Sequence, residues 1–331
     1  MLILKNFSGS MPYSLSKNFL YLEVICNLMI RIVNLYKKYG DFLALKGVSF
    51  DVNNGEVVGF VGLNGAGKTT TIKISAGVNF PTSGDVEIDG YSITKDKRKA
   101  SRNVGWVPEL PNFEPDVKAL DYFVYLAGYY GISSQEAKNL GKKLLEEVGL
   151  SEWMNVKIGK FSQGMKKRFA LAVSLAGNPN NFLFDEVLNG LDPAGMQFFK
   201  DLAIKMKNEG RAILFSSHIL SEVENIADRV VFIHKGKIIG IKKMEDLRKM
   251  VSTNIVKAVV NNYNEALKVA EKYGKPAIVN GQIIISDFKG DISELSSELK
   301  PYGLIEIGYE RQNLESVFFQ LISESEKSES R

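Results

Sequence analysis

The sequence predicts an α/β domain followed by a small α+β domain. From Met29 to Ile241, short β-rich runs alternate with longer segments of helical periodicity, which is the pattern of an α/β layout. From Asn254 onward, short strands and short helices surround a two-residue turn signal. A chain of 331 residues with 45% hydrophobic and 24% charged residues has the composition of a soluble globular protein of about two domains.

Composition excludes several classes of protein. The most apolar early stretch, Phe19 to Ile32, contains Glu23, Asn27 and Arg31, and no apolar run reaches the roughly 18 to 20 residues that a membrane span needs. A net charge of +4, from 42 basic and 38 acidic residues, argues against a dedicated nucleic-acid surface. The one cysteine, Cys26, has no intrachain partner, so a reducing, cytosolic location is expected.

Residues 1–28 differ from the rest of the chain, because they mix Ser, Asn and aromatic residues without a clear period. Met29 opens the first convincing strand, MIRIVNLYKKYG. We therefore predict that residues 1–28 are an extension and that Met29 is the native start. The competing interpretation is a peripheral membrane anchor.

The elements of the first domain, residues 29–241, follow from apolar periodicity. The runs EVVGFVG (56–62) and RAILFSS (211–217) are predicted buried strands, since their apolar residues are nearly uninterrupted. The predicted helices are Ala119–Tyr130, Ser134–Val148 and Met165–Ala176. Residues 242–253 are a predicted linker.

The second domain, residues 254–323, is predicted as a compact α+β module. Its order is a strand, a helix, a hairpin turning at Asn280-Gly281, a second helix, the strand GLIEIGY and a last helix. The three predicted helices are Asn264–Tyr273, Ile292–Lys300 and a segment near Leu314–Ile322. The polar end, residues 324–331, is predicted to fray as a tail.

A phosphate-binding loop follows the strand at 56–62. Gly62, four further residues and then Gly67-Lys68-Thr69 stand between an apolar strand and a helical run, which is the P-loop pattern in its expected context. The glycines permit a tight path that points backbone NH groups at phosphates, Lys68 supplies a cation and Thr69 a Mg²⁺ ligand. The alternative is a glycine-rich turn without a ligand. The predicted nucleotide-binding residues of this loop are Gly62, Asn64, Gly65, Ala66, Gly67, Lys68, Thr69 and Thr70.

Two adjacent carboxylates end another short apolar strand, Phe182 to Phe184. Because successive strand residues point to opposite faces, Asp185 and Glu186 are expected to have different roles. We expect Asp185 to hold Mg²⁺ and Glu186 to polarise the attacking water as a catalytic base. The alternative is a solvated strand end that happens to carry two acids.

The segment FSQGMKKRFA (161–170) places Ser162 as an N-cap before residues of helical spacing. The first-turn amides of such a helix attract anions, although an ordinary capped helix is the alternative. The basic trio 166–168 is interpreted as a solvated helix face, against the alternative of a nucleic-acid patch. His218 ends a buried strand, where open α/β sheets bind ligands, whereas His234 is interpreted as structural.

Five motifs in order, the P-loop, FSQGMKKR, FLFDE, GLDP and SSH, resemble the ATP-binding cassette of ABC transporters over residues 29–241. The resemblance implies a RecA-like core with a helical subdomain, and ATPase activity with ATP and Mg²⁺. It also implies a head-to-tail dimer, homodimer or heterodimer, in which the signature loop of one subunit closes over ATP on the P-loop of the other. The signature residues are Ser162, Gln163 and Gly164.

The resemblance implies roles for four further residues. Tyr39 matches the aromatic residue that stacks on adenine, with a strand aromatic as the alternative. Glu109 occupies the position where a Gln usually contacts Mg²⁺ and relays movement to the membrane subunit. Asp192 matches the aspartate that contacts the opposite subunit, and His218 matches the histidine that contacts the γ-phosphate.

Three departures from the family pattern are Gln163 in the signature, Asn181 in the strand before Asp185 and VLNG (187–190) after the acidic pair. The stretch QNLESVFFQLI (312–322) resembles the small domain that follows the cassette in exporter subunits. The resemblance therefore implies an exporter ATPase that works with a separate transmembrane permease, on the cytoplasmic face of the membrane, without nucleic acid.

Two other functions remain open from the sequence. One is a soluble ABC ATPase of translation or DNA repair, which usually has two cassettes or a coiled-coil insertion. This chain has neither feature, since it contains one cassette and the stretch between Lys68 and Ser162 is too short for a coiled coil. The other is a P-loop kinase or GTPase-like switch, which needs no signature motif.

Overall fold

The computed structural model describes residues 28–251, 255–279, 281–309 and 314–329. The chain divides into two compact units, the first ending at Ile238 and the second beginning at Ile239. The predicted N-terminal extension, apart from Leu28, and Asn280 of the predicted turn lie outside the described residues. Among the helices of the described ranges, none combines the length and the apolarity that a membrane span requires.

The first unit is built on two sheets, and the last strand of the second sheet, Lys237–Lys243, continues past the boundary at Ile238. The strands up to the end of the second sheet are β1 (Leu28–Tyr39), β2 (Phe42–Asn53), β3 (Val57–Val61), β4 (Ser83–Ile88), β5 (Tyr91–Ser92), β6 (Val104–Val107), β7 (Asn181–Phe184), β8 (Ala212–Ser217), β9 (Arg229–His234) and β10 (Lys237–Lys243). An antiparallel sheet has the order β2-β1-β4-β5, and a second sheet has the order β10-β9-β3-β8-β7-β6. Strands β9, β3, β8, β7 and β6 run parallel, so their carboxyl ends meet at one edge.

The parallel strands are continuous apolar runs because both of their faces are covered. Every residue of β3 and β8 is buried, as the apolar runs of the sequence predict. Asn181 is the polar exception in β7: its side-chain amide donates to Asp89 Oδ1 at 3.1 Å and to the Asn103 carbonyl at 3.2 Å. The residue that interrupts the apolar run therefore joins this strand to two neighbouring segments.

Helices connect these strands. They are α1 (Lys68–Ser75), α2 (Lys97–Arg102), α3 (Ala119–Ala127), α4 (Ser134–Glu147), α5 (Gln163–Leu175), α6 (Pro193–Asn208) and α7 (Leu220–Glu224), with 3₁₀ turns at Gly128–Tyr130, Ser151–Trp153 and Ile158–Lys160. Helices α3, α4 and α5 pack against one another between β6 and β7, which is the helical part that the family resemblance implies. Helix α4 starts at a capping box formed by Ser133 and Glu136.

The second unit is an antiparallel sheet with helices. Its elements after β10 are α8 (Met244–Val251), β11 (Val256–Val260), α9 (Tyr263–Ala270), β12 (Lys275–Val279), β13 (Gln282–Ser286), α10 (Ile292–Leu299), β14 (Leu304–Tyr309) and α11 (Leu314–Glu329), with a 3₁₀ turn at Lys300–Tyr302. The sheet order is β12-β13-β11-β14. Its core joins inward residues of β11 and β13, such as Val256 and Ile283, to Leu295 of α10 and Phe288.

Two sequence expectations for this region need revision. The predicted linker 242–253 contains the end of β10 and the helix α8. The predicted polar tail, residues 324–331, begins inside α11, which continues to Glu329. The expectation that this segment frays stays a prediction. Glu and Lys are good helix formers, so the polarity of this segment predicts an exposed surface and not the loss of helix.

Candidate functional site

The P-loop leads from the end of β3 into α1. Gly65 and Gly67 have φ angles of 79° and 114°, in the left-handed region that glycine adopts without strain. A Cβ atom at Gly62 would lie 2.4 Å from the carbonyl oxygen of Ile233. The glycines of the motif are therefore required by the backbone path that the sequence predicts.

Lys68, the first residue of α1, is 5% exposed. Its Nζ donates to the Gly62 carbonyl at 2.7 Å and to the Leu63 carbonyl at 3.3 Å, and lies 3.2 Å from Glu186 Oε1. A buried ammonium group needs such partners, because burying an unpaired charge is costly. Lys68 thus links the P-loop to the acidic pair after β7.

Asp185 is fully buried and bridges two elements. Its Oδ1 accepts hydrogen bonds from Thr69 Oγ1 at 3.1 Å and from Ser216 Oγ at 2.8 Å. Burial raises the pKa of Asp185, and these two hydrogen bonds oppose the shift. Its Oδ2 is buried without a hydrogen-bond partner among the described residues, so one carboxylate oxygen beside Thr69 is available to a ligand.

Glu186 has a left-handed backbone, with φ of 47°. Its NH donates to Ser216 Oγ at 2.9 Å, and its Oε2 accepts from Asn189 Nδ2 at 3.0 Å and lies 2.9 Å from His218 Nδ1. The two carboxylates contact different partners, as expected. However, β7 ends at Phe184, so the backbone turn at Glu186, and not strand alternation, separates them.

A pocket of about 380 Å³ opens at the P-loop. Its lining residues are Tyr39, Phe42, Ala44, Asn64, Gly65, Gly67, Lys68, Thr69, Thr70, Glu109 and Glu186. Nine of these are sequence-predicted site residues, so the structure brings together positions that span more than half of the first unit. Gly62 and the buried Ala66 shape the loop behind this surface, and His218 follows the carboxyl end of β8.

Two aromatic side chains border this pocket. Tyr39 is 45% exposed and Phe42 is 66% exposed, and they are partners across the β1–β2 hairpin. The Tyr39 hydroxyl accepts a hydrogen bond from Asn79 Nδ2 at 3.1 Å. Sequence reasoning missed Phe42. The signal that could have found it is the two-residue turn after Tyr39, which makes Phe42 its cross-strand neighbour.

The signature residues lie elsewhere. Ser162 caps α5, since its Oγ accepts a hydrogen bond from the Met165 NH at 3.2 Å, which confirms the predicted cap. Ser162 and Gln163 are exposed, and a Cβ atom at Gly164 would lie 2.9 Å from the Gly190 carbonyl oxygen. Among the described residues, the lining of the P-loop pocket includes none of these three.

Asp192 caps α6 by accepting a hydrogen bond from the Gly195 NH at 3.0 Å. It also pairs with Arg168 of α5. Hydrogen bonds from Arg168 and Gly195 lower the pKa of the Asp192 carboxyl. This residue also lies outside the lining of the P-loop pocket.

The interpretation of residues 166–168 as a solvated face was wrong at Lys167. This side chain is 1% exposed, and its Nζ donates to the Glu186 carbonyl at 2.6 Å and to the Asn189 carbonyl. Burial lowers the pKa of Lys167, while the acidic groups of Glu109 and Glu186 oppose the shift. Helical spacing places residues on a common face but does not show that this face packs on a loop rich in carbonyl groups.

Comparison with protein families agrees with the geometry. Residues 45–189 match the family model described as ABC transporter. The linearmycin resistance ATP-binding protein LnrL of Bacillus subtilis is 34% identical over 243 residues, covering 73% of this chain and 78% of that protein. The bacitracin transport ATP-binding protein BcrA of Bacillus licheniformis is 35% identical over 246 residues, with 74% and 79% covered. Nod factor export ATP-binding protein I of Burkholderia lata is 30% identical over 289 residues, with 87% and 95% covered.

Solved structures show the same fold. An ATP-binding subunit of an ABC transporter aligns with a TM-score of 0.63 and 26% identity, covering 82% of this chain and 99% of that one. A dimeric ATP-binding cassette in a post-hydrolysis state with ADP and phosphate aligns with a TM-score of 0.59 and 27% identity, covering 65% and 99%. The kinase and GTPase-like alternatives are not supported, and neither is a role in translation or DNA repair. The chain belongs to the family of ABC transporter ATP-binding proteins, ATPases with the P-loop NTPase fold.

Proposed function

We propose that this chain powers an ABC exporter by hydrolysing ATP in the P-loop pocket. The observation that carries the proposal is the junction at Glu186, where one buried carboxylate contacts both Lys68 of the P-loop and His218 after β8. The names of two relatives, a bacitracin transport and a Nod factor export ATP-binding protein, support the direction of transport. Residues 29–241 form the proposed cassette and residues 254–323 the proposed C-terminal domain.

The pocket fits Mg²⁺ as the companion of ATP. The Oδ2 atom of Asp185 is a buried oxygen for which the described ranges provide no hydrogen-bond partner, and Thr69 Oγ1 lies next to the same carboxylate. Oxygen atoms of carboxylates and hydroxyl groups are the ligands that Mg²⁺ prefers. We assign Thr69 and Asp185 to the metal, with Glu109 at the pocket wall as the third residue. When bound, Mg²⁺ neutralises charge on the β- and γ-phosphates.

The remaining tasks are proposed for the following site residues. Glu186 accepts a proton from the attacking water, and His218 holds that carboxylate through its Nδ1 contact and faces the γ-phosphate. Lys68 and the backbone NH groups of residues 64–70 bind the phosphates. Tyr39 and Phe42 offer exposed rings to the adenine base.

The signature residues are proposed to serve a second cassette. Ser162, Gln163 and Gly164 begin α5, where the amides of the first turn favour an anion, yet they do not line the P-loop pocket of their own chain. In a head-to-tail dimer of cassettes they would face the γ-phosphate on the partner subunit. Asp192, exposed at the start of α6, is the proposed contact with the partner subunit.

A complementation experiment tests this dimer. Lys68→Ala removes the P-loop cation, and Gly164→Asp places a carboxylate against the partner's phosphate, so each variant alone should lose hydrolysis. A mixed dimer has one site with a normal P-loop and a normal signature. Mixing the two variants should therefore restore ATPase activity. Normal hydrolysis by Gly164→Asp alone would remove the signature assignment.

The membrane partner is proposed to dock on an aromatic ladder of the helical region. Tyr122 and Tyr125 stack with ring centroids 6.0 Å apart, and the hydroxyl groups of Tyr125 and Tyr129 are 2.7 Å apart. Tyr125 and Tyr129 are 59% and 74% exposed. A tyrosine has an apolar ring and a polar hydroxyl group, so it suits a protein interface in which the ring is covered and the hydroxyl group stays hydrated. This contact would place the chain on the cytoplasmic face of the membrane.

The docking surface can be tested with Tyr125→Ala combined with Tyr129→Ala. The double variant should lose co-purification with the permease from detergent-solubilised membranes and keep the ATPase activity of the isolated cassette. Tyr91→Ala changes an exposed tyrosine outside the ladder and serves as the matched control. Normal co-purification of the double variant would rule out this surface.

A further inference from the structure

A buried lysine holds the turn that carries the proposed catalytic base. The turn runs from Glu186 to Asn189, and the Asn189 NH donates to the Glu186 carbonyl at 3.2 Å. Lys167 reaches this turn from α5 and donates from one ammonium group to the carbonyls of both end residues. An ammonium group has three N–H donors and no acceptor, so it can donate hydrogen bonds to two carbonyl oxygens at once.

The turn needs such support because of its geometry. Glu186 has a φ of 47°, a conformation that residues other than Gly, Asn and Asp rarely adopt. Strained backbone of this kind persists only when the surroundings over-determine it. Besides the Asn189 NH, two side chains from other elements hold the backbone of Glu186: Ser216 Oγ accepts from its NH, and Lys167 donates to its carbonyl.

The same turn also orients the carboxylate. The side-chain amide of Asn189 donates to Glu186 Oε2 at 3.0 Å, so the position of Asn189 sets the position of the proposed base. Lys167 donates to the backbone carbonyl of Asn189 and to that of Glu186, and so fixes both residues. Lys167 contacts carbonyl groups of the turn, and it is Glu186, not Lys167, that lines the P-loop pocket.

We propose that Lys167 is a positioning residue for hydrolysis, which fixes the left-handed turn and thereby aims the Glu186 carboxylate of its own chain. The proposal rests on the proposed role of Glu186 as the base. Lys167 lies on the helix whose start serves the partner's ATP, yet the turn that it holds belongs to the site of its own P-loop. Its effect should therefore appear in cis.

The first test compares turnover and binding. Lys167→Met removes the ammonium group and keeps a long apolar stem, so kcat should fall by about 10²-fold, the loss expected from a misplacement near 1 Å. The Kd for ATP should not rise, because the P-loop residues that bind the phosphates are unchanged and a displaced Glu186 competes less for Lys68. Lys167→Arg, which keeps a charged donor, should recover most of the lost kcat. Lys166→Met, a change of the neighbouring lysine on the same helix, is the matched control.

A combined variant separates positioning from a purely structural role. In a Glu186→Gln background the aim of the carboxylate no longer matters, so adding Lys167→Met should lower the residual kcat no further. A structural lysine would instead lower ATP affinity and add its loss to that of Glu186→Gln. The unfolding midpoint of each variant is measured first, and Lys167→Gln, which keeps one amide donor, replaces Lys167→Met if the apolar variant does not fold.

Mixed dimers decide between cis and trans action. Chains with Lys167→Met, mixed with Lys68→Ala chains, form one site that pairs a normal P-loop with a normal signature, but the Glu186 of that site lies on the Lys167→Met chain. We therefore expect no recovery of hydrolysis, in contrast to the Gly164→Asp mixture. Recovery would mean that Lys167 acts through the signature and would overturn the proposal.

The controls distinguish this proposal from the proposed function. Hydrolysis at the normal rate by Glu186→Gln alone would remove Glu186 as the base, and the function of the site would need a new assignment. An inactive Glu186→Gln together with a normal kcat for Lys167→Met would refute only the positioning role. An equal loss of kcat in Lys166→Met and Lys167→Met would also refute it.

Discussion

Glu186→Gln should slow hydrolysis strongly and strengthen ATP binding. In the structure the Lys68 ammonium lies 3.2 Å from Glu186 Oε1, and both side chains are nearly fully buried. A γ-phosphate that binds Lys68 must compete with this carboxylate. Glutamine keeps the shape of the side chain and an oxygen that accepts from Asn189, but it removes the competing negative charge.

The size of the effect on binding follows from the contact that changes. Lys68 stays charged in the variant and can still donate to the glutamine oxygen, so only the charge–charge attraction of the contact is lost. Two unit charges about 4 Å apart attract by about 1 kcal/mol even in water, which corresponds to at least roughly fivefold tighter ATP binding. The loss of the general base should lower kcat by about 10² to 10⁴.

Titration calorimetry with ATP in EDTA measures the affinity of both proteins without hydrolysis, and phosphate release with Mg²⁺ measures kcat. Glu114→Gln changes an exposed glutamate and should alter neither value. Weaker ATP binding by Glu186→Gln would refute the competition for Lys68. A kcat that falls by less than tenfold would refute the role of Glu186 as the base.

Three further changes test separate parts of the first unit. Tyr39→Ala should weaken ATP binding by roughly 1 to 3 kcal/mol, the contribution of a lost base stack, and leave kcat unchanged. A fluorescence titration with ATP measures the affinity, and Tyr39→Phe, which keeps the ring, should bind ATP normally in it. Ser216→Ala removes the hydroxyl that bridges Asp185 and the Glu186 NH, so chemical denaturation should show a loss of about 1 to 3 kcal/mol. Burial raises the pKa of Glu56, but hydrogen bonds from Arg229 and Asn53 outweigh this effect and leave the pKa lowered. A lowered carboxyl pKa stabilises the fold above the unfolded value and loses this contribution as the pH falls through the folded value. Glu56→Gln should therefore reduce the free energy of unfolding at pH 7 and have little effect at strongly acidic pH, and an equal loss at both pH values would contradict this linkage.

The parts of the site that the sequence predicts are those with a local cause. The P-loop glycines follow from a backbone path that only glycine adopts easily, and Ser162 follows from the chemistry of a helix start. Strands β3 and β8 follow from apolar runs that only a covered sheet can bury. Each of these signals lies within a few residues of the feature it predicts.

The remaining parts depend on contacts between distant segments. Ser216 bridges Asp185 and Glu186 from a strand about thirty residues further along, and nothing in RAILFSS marks that serine as a site residue. Lys167 belongs to a basic stretch that resembles an ordinary exposed face until the loop after β7 packs against it. The polar end of α11 shows the same limit, since composition predicts exposure but does not decide between helix and coil.

Two neighbouring residues of α5 tie the signature helix to the rest of its own site. Lys167 binds the turn of residues 186–189, and Arg168 binds Asp192, which caps α6. Because both contacts start from one rigid helix turn, a displacement of α5 must either break them or move the turn and the α6 cap with it. The signature at the start of α5 is proposed to contact ATP on the partner subunit. A movement of α5 as the signature closes over that γ-phosphate would therefore also displace Glu186 of the chain that carries this α5. We therefore expect a Gly164→Asp subunit to impair its own site as well as the partner's, and the recovery in mixed dimers should stay below half of the normal rate.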